Sequence, residues 1–182
     1  MRTSAKCTDT ILLSDLPIYA AQTDLPFATR QAKTIFFSVH MLRMGRPNVD
    51  DDAGIAIGFV APPYPSWRLP GWHRGSLGVH GDDGRRYVDN SLGGKEFTQS
   101  FKVGQTIGIG MTFSPPPFGN HGKCHIEVFF TRDGVREGGW NLYEERDRDE
   151  EEGDVVGLEG ECDLLAAVGV FGECEFEVTF GR

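Results

Sequence analysis

Residues Glu173–Phe180 read ECEFEVTF, and this stretch alternates polar and apolar residues almost without a break. Glutamate and threonine occupy one set of alternate positions, while Cys174, Phe176, Val178 and Phe180 occupy the other. Successive side chains of a strand point to opposite faces of the sheet. The pattern therefore predicts a strand with one face in the core and the other in water.

The same period of two recurs along most of the chain. Further strands are predicted over the segments Thr34–Leu42, Gly54–Val60, Ser76–His80, Arg85–Val88, Gln105–Phe113, His125–Thr131 and Leu164–Phe171. Asp133-Gly134 follows one of them and favours a type I′ hairpin, because that turn needs positive φ at both central residues. Many short strands separated by Gly- and Pro-rich breaks indicate an all-β fold, an antiparallel β-sandwich.

The chain has 182 residues, which suits one domain, and its formal net charge is −9. Eight acidic residues and two arginines lie between Glu144 and Asp154, so one segment carries most of the excess charge. An acidic chain disfavours nucleic acid or an anionic membrane as the main partner, because phosphate binding needs a basic face. We interpret the segment as a solvated connection between strands, with recruitment of basic partners as the alternative.

Compartment can be argued from targeting signals and cysteines. No apolar run approaches the roughly 18 residues of a membrane-spanning helix, and Met1–Asp15 lacks the pattern of a secretory signal. The four cysteines form neither a CxxC pair nor a zinc-finger spacing. Free thiols are typical of a reducing compartment, so we expect a cytoplasmic protein, with the nucleus as a second location.

The segment Ala61–Tyr87 combines aromatic residues with many prolines and glycines. Tyr64, Trp67 and Trp72 lie in a part of it that must be largely loop. Proline reduces the entropy lost on ordering, and Tyr and Trp supply large contact areas with a polar tip. This composition predicts a preformed protein-recognition surface. The alternative is that one or both tryptophans close the end of the core.

Three acidic motifs are the candidates for a catalytic or metal site. His80–Gly84 (HGDDG) and Asp50–Asp52 lack the spacing of a calcium loop, and we interpret both as turns. Glu173, Glu175 and Glu177 share one strand face, which we interpret as a solvent face rather than the floor of a glycosidase cleft. The sequence contains no nucleophile elbow, HExxH motif or Walker glycine loop. We expect no enzymatic activity, no cofactor and no metal.

Five ordered stretches carry a family pattern. They read DDAGIAIGF (Asp51–Phe59), GSLGVHGDDGRRY (Gly75–Tyr87), FKVGQTIGIGMTF (Phe101–Phe113), IEVFFTRDGVREGG (Ile126–Gly139) and DLLAAVGVFGECEFEVTFG (Asp163–Gly181). In this order they resemble a SPRY domain, and the region that they cover is Ala53–Arg182. The sequence is similar in particular to the Ran-binding-protein-M type, which includes scaffold subunits of ubiquitin-ligase complexes and adaptors of fungal ubiquitin ligases.

The resemblance implies a bent antiparallel β-sandwich of the concanavalin-like jelly-roll kind over residues 31–182. Relative to the family pattern, the chain carries insertions at 115–124 and 143–161. Residues 1–30 show little pattern, and we expect them to form an extension that packs on or flanks the domain.

The resemblance also implies a site. SPRY domains bind proteins without catalysis, in a shallow pocket formed by loops at one end of the sandwich. The peptide-binding branch has a Val-Trp-Gly segment there, which matches Val170-Phe171-Gly172, and a loop tyrosine, for which Tyr64 or Trp67 could serve. The candidate partner-binding residues are Tyr64, Trp67, Arg68, Arg86, Tyr87, Val170, Phe171 and Gly172. In this hypothesis the aromatic side chains exclude water while Arg68 or Arg86 pairs with an acid or carbonyl of the partner.

The expected function is a protein-interaction module that binds a partner protein or short peptide, as a substrate or partner adaptor in a ubiquitin-ligase pathway. An alternative from another class is a carbohydrate-binding or carbohydrate-cleaving jelly-roll protein, with Trp67, Trp72, His80 and Asp82 as its site. A third is a structural domain within a larger assembly.

Overall fold

A computed structural model of the chain describes residues 1–46, 53–92, 94–116, 123–144 and 155–181. The predicted turn Asp50–Asp52 lies outside the described residues. So do most of the insertion 115–124 and all but the first residue of the acidic segment Glu144–Asp154.

The described residues form two antiparallel sheets, which confirms the all-β sandwich. One sheet has six strands in the order β1-β10-β3-β4-β5-β6, and the other has five in the order β11-β2-β7-β8-β9. The strands are β1 Thr10–Leu13, β2 Lys33–Met44, β3 Gly54–Val60, β4 Ser76–His80, β5 Arg85–Val88, β6 Lys95–Glu96, β7 Thr106–Ser114, β8 His125–Arg132, β9 Val135–Asn141, β10 Leu165–Phe171 and β11 Cys174–Phe180. Two short helices, α1 Ala21–Asp24 and α2 Pro26–Thr29, precede β2. No helix in these parts of the chain is long and apolar enough to cross a membrane.

The core lies between the two sheets. Phe37 of β2 and Phe59 of β3 meet edge to face across it, with ring centroids 5.5 Å apart, and both are fully buried. Each fully buried side chain of this size contributes about 1.5–3 kcal/mol to folding. Cys174 and Phe176 of β11 are buried as the alternation predicts, and burial raises the pKa of the Cys174 thiol to about 11. All four cysteines are free thiols, as expected.

The hairpin between β8 and β9 forms as predicted. Asp133 and Gly134 have φ values of 50° and 79°, so both central residues are in the left-handed region that a type I′ turn requires. The flanking residues Arg132 and Val135 are partners in the ladder. A local sequence signal therefore determines the register beside the turn, and a bulge shifts the register by one residue between Phe130 and Thr131.

Residues 1–30 contribute both a strand and a core side chain. β1 pairs with β10 from Thr10↔Val170 to Leu13↔Ala167 and forms one edge of the six-stranded sheet. Tyr19 is fully buried and its ring stacks on Phe113 at a centroid distance of 4.4 Å. Its hydroxyl donates to the carbonyl oxygen of Gly160 at 2.9 Å.

Glu173 departs from the predicted solvent face. Its relative exposure is 9%, and its Oε1 accepts hydrogen bonds from the guanidinium groups of Arg2 and Arg43. The hydrogen bond from Arg2 and the positive charge of Arg43 hold the pKa of this carboxyl below its usual range. The alternation fails here because Glu173 precedes the first residue of β11, next to Gly172 with a φ of +66°.

Candidate protein-binding surface

Very small residues form the middle of the outer face of the six-stranded sheet. β3 presents Gly54, Ala56 and Gly58 outward, and β4 and β10 present Gly78 and Gly169 beside them. Because these residues add almost no side-chain height, another segment of the chain can approach the sheet at backbone distance.

The segment that makes this approach is residues 61–75, which we call the β3–β4 loop. A Cβ atom on Gly78 would lie 2.5 Å from the carbonyl oxygen of Pro70. One on Gly169 would lie 2.6 Å from Pro70 Cδ. Leu69 and Pro70 are buried, so the loop lies directly on the sheet. Any larger residue at these two glycines would force the loop away.

Hydrogen bonds hold the loop backbone in place. The Tyr64 hydroxyl donates to the carbonyl oxygen of Leu69 at 2.7 Å. Ser76 is fully buried, and its Oγ accepts from the Gly71 N–H at 2.9 Å. His80 Nε2 donates to the carbonyl oxygen of Pro70 at 2.9 Å, because a carbonyl can only accept. These bonds satisfy buried polar groups that would otherwise be costly.

The tip of the loop points into solvent. The N–H of Ile11 in β1 donates to the Ser66 carbonyl oxygen at 3.1 Å, which ties the tip to the edge strand. The next residue, Trp67, is 66% exposed, and Arg68 is exposed as well. A large aromatic and a cation are therefore displayed on a fixed backbone. Because the loop backbone is already fixed, binding a partner would cost little entropy for ordering the loop, which favours binding.

An aromatic cluster on the same face joins the end of the loop to β4 and β5. Its ring centroids are 5.0 Å apart for Trp72 and His80, 4.4 Å for His80 and Tyr87, and 6.2 Å for Trp72 and Tyr87. The Tyr87 hydroxyl reaches Asp83 Oδ2 at 3.3 Å. The HGDDG motif is the turn that the sequence predicts, since Asp83 Oδ1 accepts from the Arg85 N–H at 2.8 Å.

The carbohydrate alternative needs Trp67, Trp72, His80 and Asp82 in one exposed site, and His80 is not exposed. His80 is only 2% exposed, so its ring cannot contact a sugar, and Trp72 packs against it. Trp67 and Asp82 are exposed. Among the residues that the structure describes, no group of His, Cys, Asp and Glu side chains is arranged to hold a metal ion.

Five of the eight candidate residues of the sequence analysis lie on this outer face. Tyr64, Trp67, Arg68 and Tyr87 belong to the β3–β4 loop and the aromatic cluster beside it. The half-buried ring of Phe171 lies over Gly54 on the same outer face.

The other three candidates do not face this surface. Val170 is fully buried in the core. The Arg86 side chain is 14% exposed, forms an ion pair with Glu144 at 3.0 Å and lies over the Trp140 ring at 5.0 Å. Gly172 is buried, and its N–H donates to the Cys7 carbonyl oxygen at 2.8 Å. The N-terminal segment thus covers the Gly172 position.

Several known proteins are similar to this chain in sequence. No family model matches it. A SPRY domain-containing protein of Schizosaccharomyces pombe is 34% identical over 115 residues, which are 63% of this chain and 26% of that protein. The Ran-binding proteins 9/10 homolog of Drosophila melanogaster is 31% identical over 100 residues, 55% of this chain and 9% of that protein. This chain contains a SPRY domain.

A third relative matches a longer part of this chain. Protein ssh4 of Sclerotinia sclerotiorum is 31% identical to the SPRY chain over 128 residues, 70% of this chain and 20% of that protein. The chain therefore spans about a quarter or less of the length of these relatives. Membership of the SPRY family supports a protein-interaction module.

Solved structures share the fold. A human SPRY domain superposes with a TM-score of 0.59 at 22% identity, covering 96% of this chain and 84% of that one. A point mutant of the carbohydrate recognition domain of Emp46p gives a TM-score of 0.50 at 12% identity, covering 98% of this chain and 78% of that one. At such low identities the likeness shows the sandwich fold alone.

Sequence reasoning missed the residues that fix the loop of this SPRY domain. Ser76, His80, Gly78 and Gly169 act through the loop backbone rather than through exposed side chains. The sequence does contain a sign of this loop, because glycine or alanine occupies the outward positions of the predicted strands β3, β4 and β10 near the loop. Outward faces of that kind, beside an apolar Leu-Pro-Gly segment, indicate a loop that docks on a sheet.

Stability should fall on mild acidification because of His80. Burial lowers the pKa of this imidazole, opposed by its hydrogen bond to Pro70 and by the Asp82 and Asp83 carboxylates. Below about pH 6.5, the usual pKa of histidine, the unfolded chain therefore binds a proton at this residue more readily than the folded chain does. The stabilisation is present above about pH 6.5 and is lost as the pH falls below it.

Urea unfolding between about pH 7 and 5.5 measures this effect, above the range where carboxylates titrate. His80→Gln should flatten the slope of the unfolding free energy against pH, since the amide keeps a donor for Pro70 without titrating. His125→Gln removes an exposed histidine instead and is the matched control. An unchanged slope in His80→Gln would contradict the assignment.

Proposed function

We propose that this SPRY domain is a non-catalytic module that binds a partner protein or short peptide through the β3–β4 loop and the outer face beside it. The observation that carries the proposal is Trp67, 66% exposed at the tip of a loop whose backbone is fixed on the sheet. Exposed tryptophan is rare away from interfaces, and Trp and Arg are the residues most enriched among binding hot spots.

The proposed contact residues are Trp67, Arg68, Tyr87 and Phe171. Trp67 would insert into the partner, and Arg68 would pair with its acids or carbonyl groups. Tyr87 and Phe171 would form an apolar surface beside them. Tyr64 supports the loop from below through its bond to Leu69. Arg86, Val170 and Gly172 face elsewhere, so the proposal gives them a structural part in holding the sandwich and its edge.

We further propose that the module selects substrates or partners for a ubiquitin-ligase pathway in the cytoplasm or nucleus. The support is the resemblance to the Ran-binding-protein-M type, together with the match to the Ran-binding proteins 9/10 homolog. The relatives are several times longer than this chain, and their assembly into larger complexes would involve regions outside the SPRY domain.

The double variant Trp67→Ala, Arg68→Ala should lose the partners that the natural chain captures from cell lysate. Each truncated anchor is expected to cost on the order of 1–3 kcal/mol of binding free energy. The free energy of unfolding should stay within about 0.5 kcal/mol of that of the natural chain, because both side chains are exposed. Captured proteins are identified and quantified by mass spectrometry against the natural chain.

Val135→Ala is the matched control, since Val135 is an apolar side chain with 67% exposure on β9 of the five-stranded sheet. This variant should recover the full set of partners. If the double variant and the control recover the same partners, the surface assignment is wrong. If ubiquitin-ligase subunits and their substrates are missing from the proteins that depend on Trp67, the pathway proposal fails while the binding proposal stands.

A further inference from the structure

Residues Met1–Thr3 cover part of the β11 edge that faces away from β2. The Phe176 N–H donates to the Met1 carbonyl oxygen at 3.0 Å, and Arg2 lies opposite Glu175 in an antiparallel bridge. This short segment therefore acts as an added strand along the first half of β11. Its own residues show what the edge accepts.

The second half of this edge is open. The Gly181 N–H donates to the Phe36 carbonyl oxygen of β2 at 3.1 Å. Because antiparallel ladders alternate, the N–H and C=O groups of Val178 and Phe180 point the other way, along the same edge as those of Phe176. In the described part of the chain, no strand pairs with Val178 or Phe180 on that side. An edge with unpaired groups is a template for an incoming strand.

An apolar cavity of about 530 Å³ lies beside this open edge, within the usual size range of binding pockets. It lies between β11 and residues 14–18, the segment that follows β1. Leu13, Leu16 and Phe180 line it and are 36%, 77% and 52% exposed. Met1 already lines it from the added strand. Apolar surface of this kind, grouped at one place, indicates an interaction site.

Two carboxylates lie on the outward face of this edge strand. Glu175 and Glu177 alternate with the apolar residues of β11 and lie on its outward face. Arg2, on the added strand, donates to Glu173 at 2.8 Å on this side. Because Met1 lies opposite Phe176, a separate strand that pairs with Val178 and Phe180 has its outward position opposite Thr179, diagonal to Glu177 and within reach of a long side chain. A basic side chain there would meet an exposed carboxylate.

We propose that the open edge at Val178–Phe180 and its cavity bind an extended segment of a partner protein that alternates apolar and basic residues. The segment pairs antiparallel with β11, in line with Met1–Thr3. Its apolar side chains enter the cavity, and a basic side chain reaches Glu177. Main-chain hydrogen bonds supply affinity and the cavity supplies specificity, as in other cases of strand addition. The open edge belongs to the five-stranded sheet, and the residues that line the cavity do not include any of the β3–β4 loop.

The test uses the full chain and two synthetic peptides, one alternating leucine and lysine and one alternating leucine and glutamate. Binding is measured by titration calorimetry, and backbone pairing by amide hydrogen exchange. We expect the Leu-Lys peptide to bind and to slow exchange at the Val178 and Phe180 amides, and the Leu-Glu peptide to do neither. Glu177→Lys should weaken the Leu-Lys peptide roughly fivefold or more and improve the Leu-Glu peptide.

Val178→Pro gives a second, independent reading. It removes an N–H that faces the open edge and none that bonds to β2, a position where an edge strand tolerates proline. This variant should lose the peptide, while Thr179→Ala, its neighbour on the outward face, should keep it. Binding that leaves the Val178 and Phe180 amides unprotected would overturn the proposal. Protection of these amides by self-association, without peptide, would also overturn it in favour of a second copy as the occupant.

Discussion

Tyr19→Ala should lower the free energy of unfolding by about 3–5 kcal/mol, the range for losing a buried aromatic side chain. Tyr19 is fully buried, stacks on Phe113 and bonds to Gly160. It thereby joins the N-terminal residues to β7 and to the segment before β10. Domains of this size are stable by only about 5–15 kcal/mol, so the loss is a large fraction of the total. Urea or thermal unfolding measures it.

Two further variants separate the causes. Tyr19→Phe keeps the ring and removes only the hydroxyl that reaches Gly160, and should cost about 1 kcal/mol. Leu16→Ala changes a side chain of the same N-terminal region that is 77% exposed, and should be nearly neutral. If Tyr19→Ala unfolds at the midpoint of the natural chain, residues 1–30 are an appendage rather than part of the core.

Gly78→Ala should abolish binding at the β3–β4 loop and lower the free energy of unfolding by about 1–3 kcal/mol. The new Cβ would lie 2.5 Å from the Pro70 carbonyl oxygen. That oxygen is backbone and cannot rotate away, so the loop must lift. Lifting breaks the 2.9 Å bond from His80 Nε2 and displaces the tip that carries Trp67. Capture of loop-dependent partners and urea unfolding are measured on the same samples.

Gly104→Ala is the matched control for this variant. Gly104 has a φ of +88°, yet nothing lies within 4 Å of an added Cβ there. Alanine should therefore cost about 1 kcal/mol through backbone strain without touching the loop. Partner capture should fall in Gly78→Ala and persist in Gly104→Ala. Equal capture by the two variants would mean that loop position does not control binding.

Local pattern predicts most of the fold. Alternation identifies the long strands and their inward faces, and the Asp133-Gly134 pair fixes one hairpin. β1 was not predicted, because the four residues TILL carry no alternation. Their strand conformation depends on pairing with β10, more than 150 residues away in sequence, and such contacts leave no local trace.

The site is less accessible to sequence reasoning. Whether Trp67 is exposed or fills the core depends on how the loop lies on Gly78 and Gly169, which is a tertiary property. The face of Val170 could have been read from the sequence, since it alternates with Gly169 and Phe171 and so shares the inward face of Val168. The position of Arg86 could not, because it depends on packing against Trp140 and Glu144 from other elements.

The separation of anchoring residues from solvent-facing residues in the β3–β4 loop affects how this protein can evolve and be engineered. Its anchoring groups, at Tyr64, Leu69 and Pro70, are different residues from the solvent-facing pair Trp67 and Arg68. If the proposed surface is correct, substitutions at the pair should alter what is recognised at little cost to folding. Diversified libraries at these two codons, on an unchanged scaffold, should therefore yield binders with new specificities.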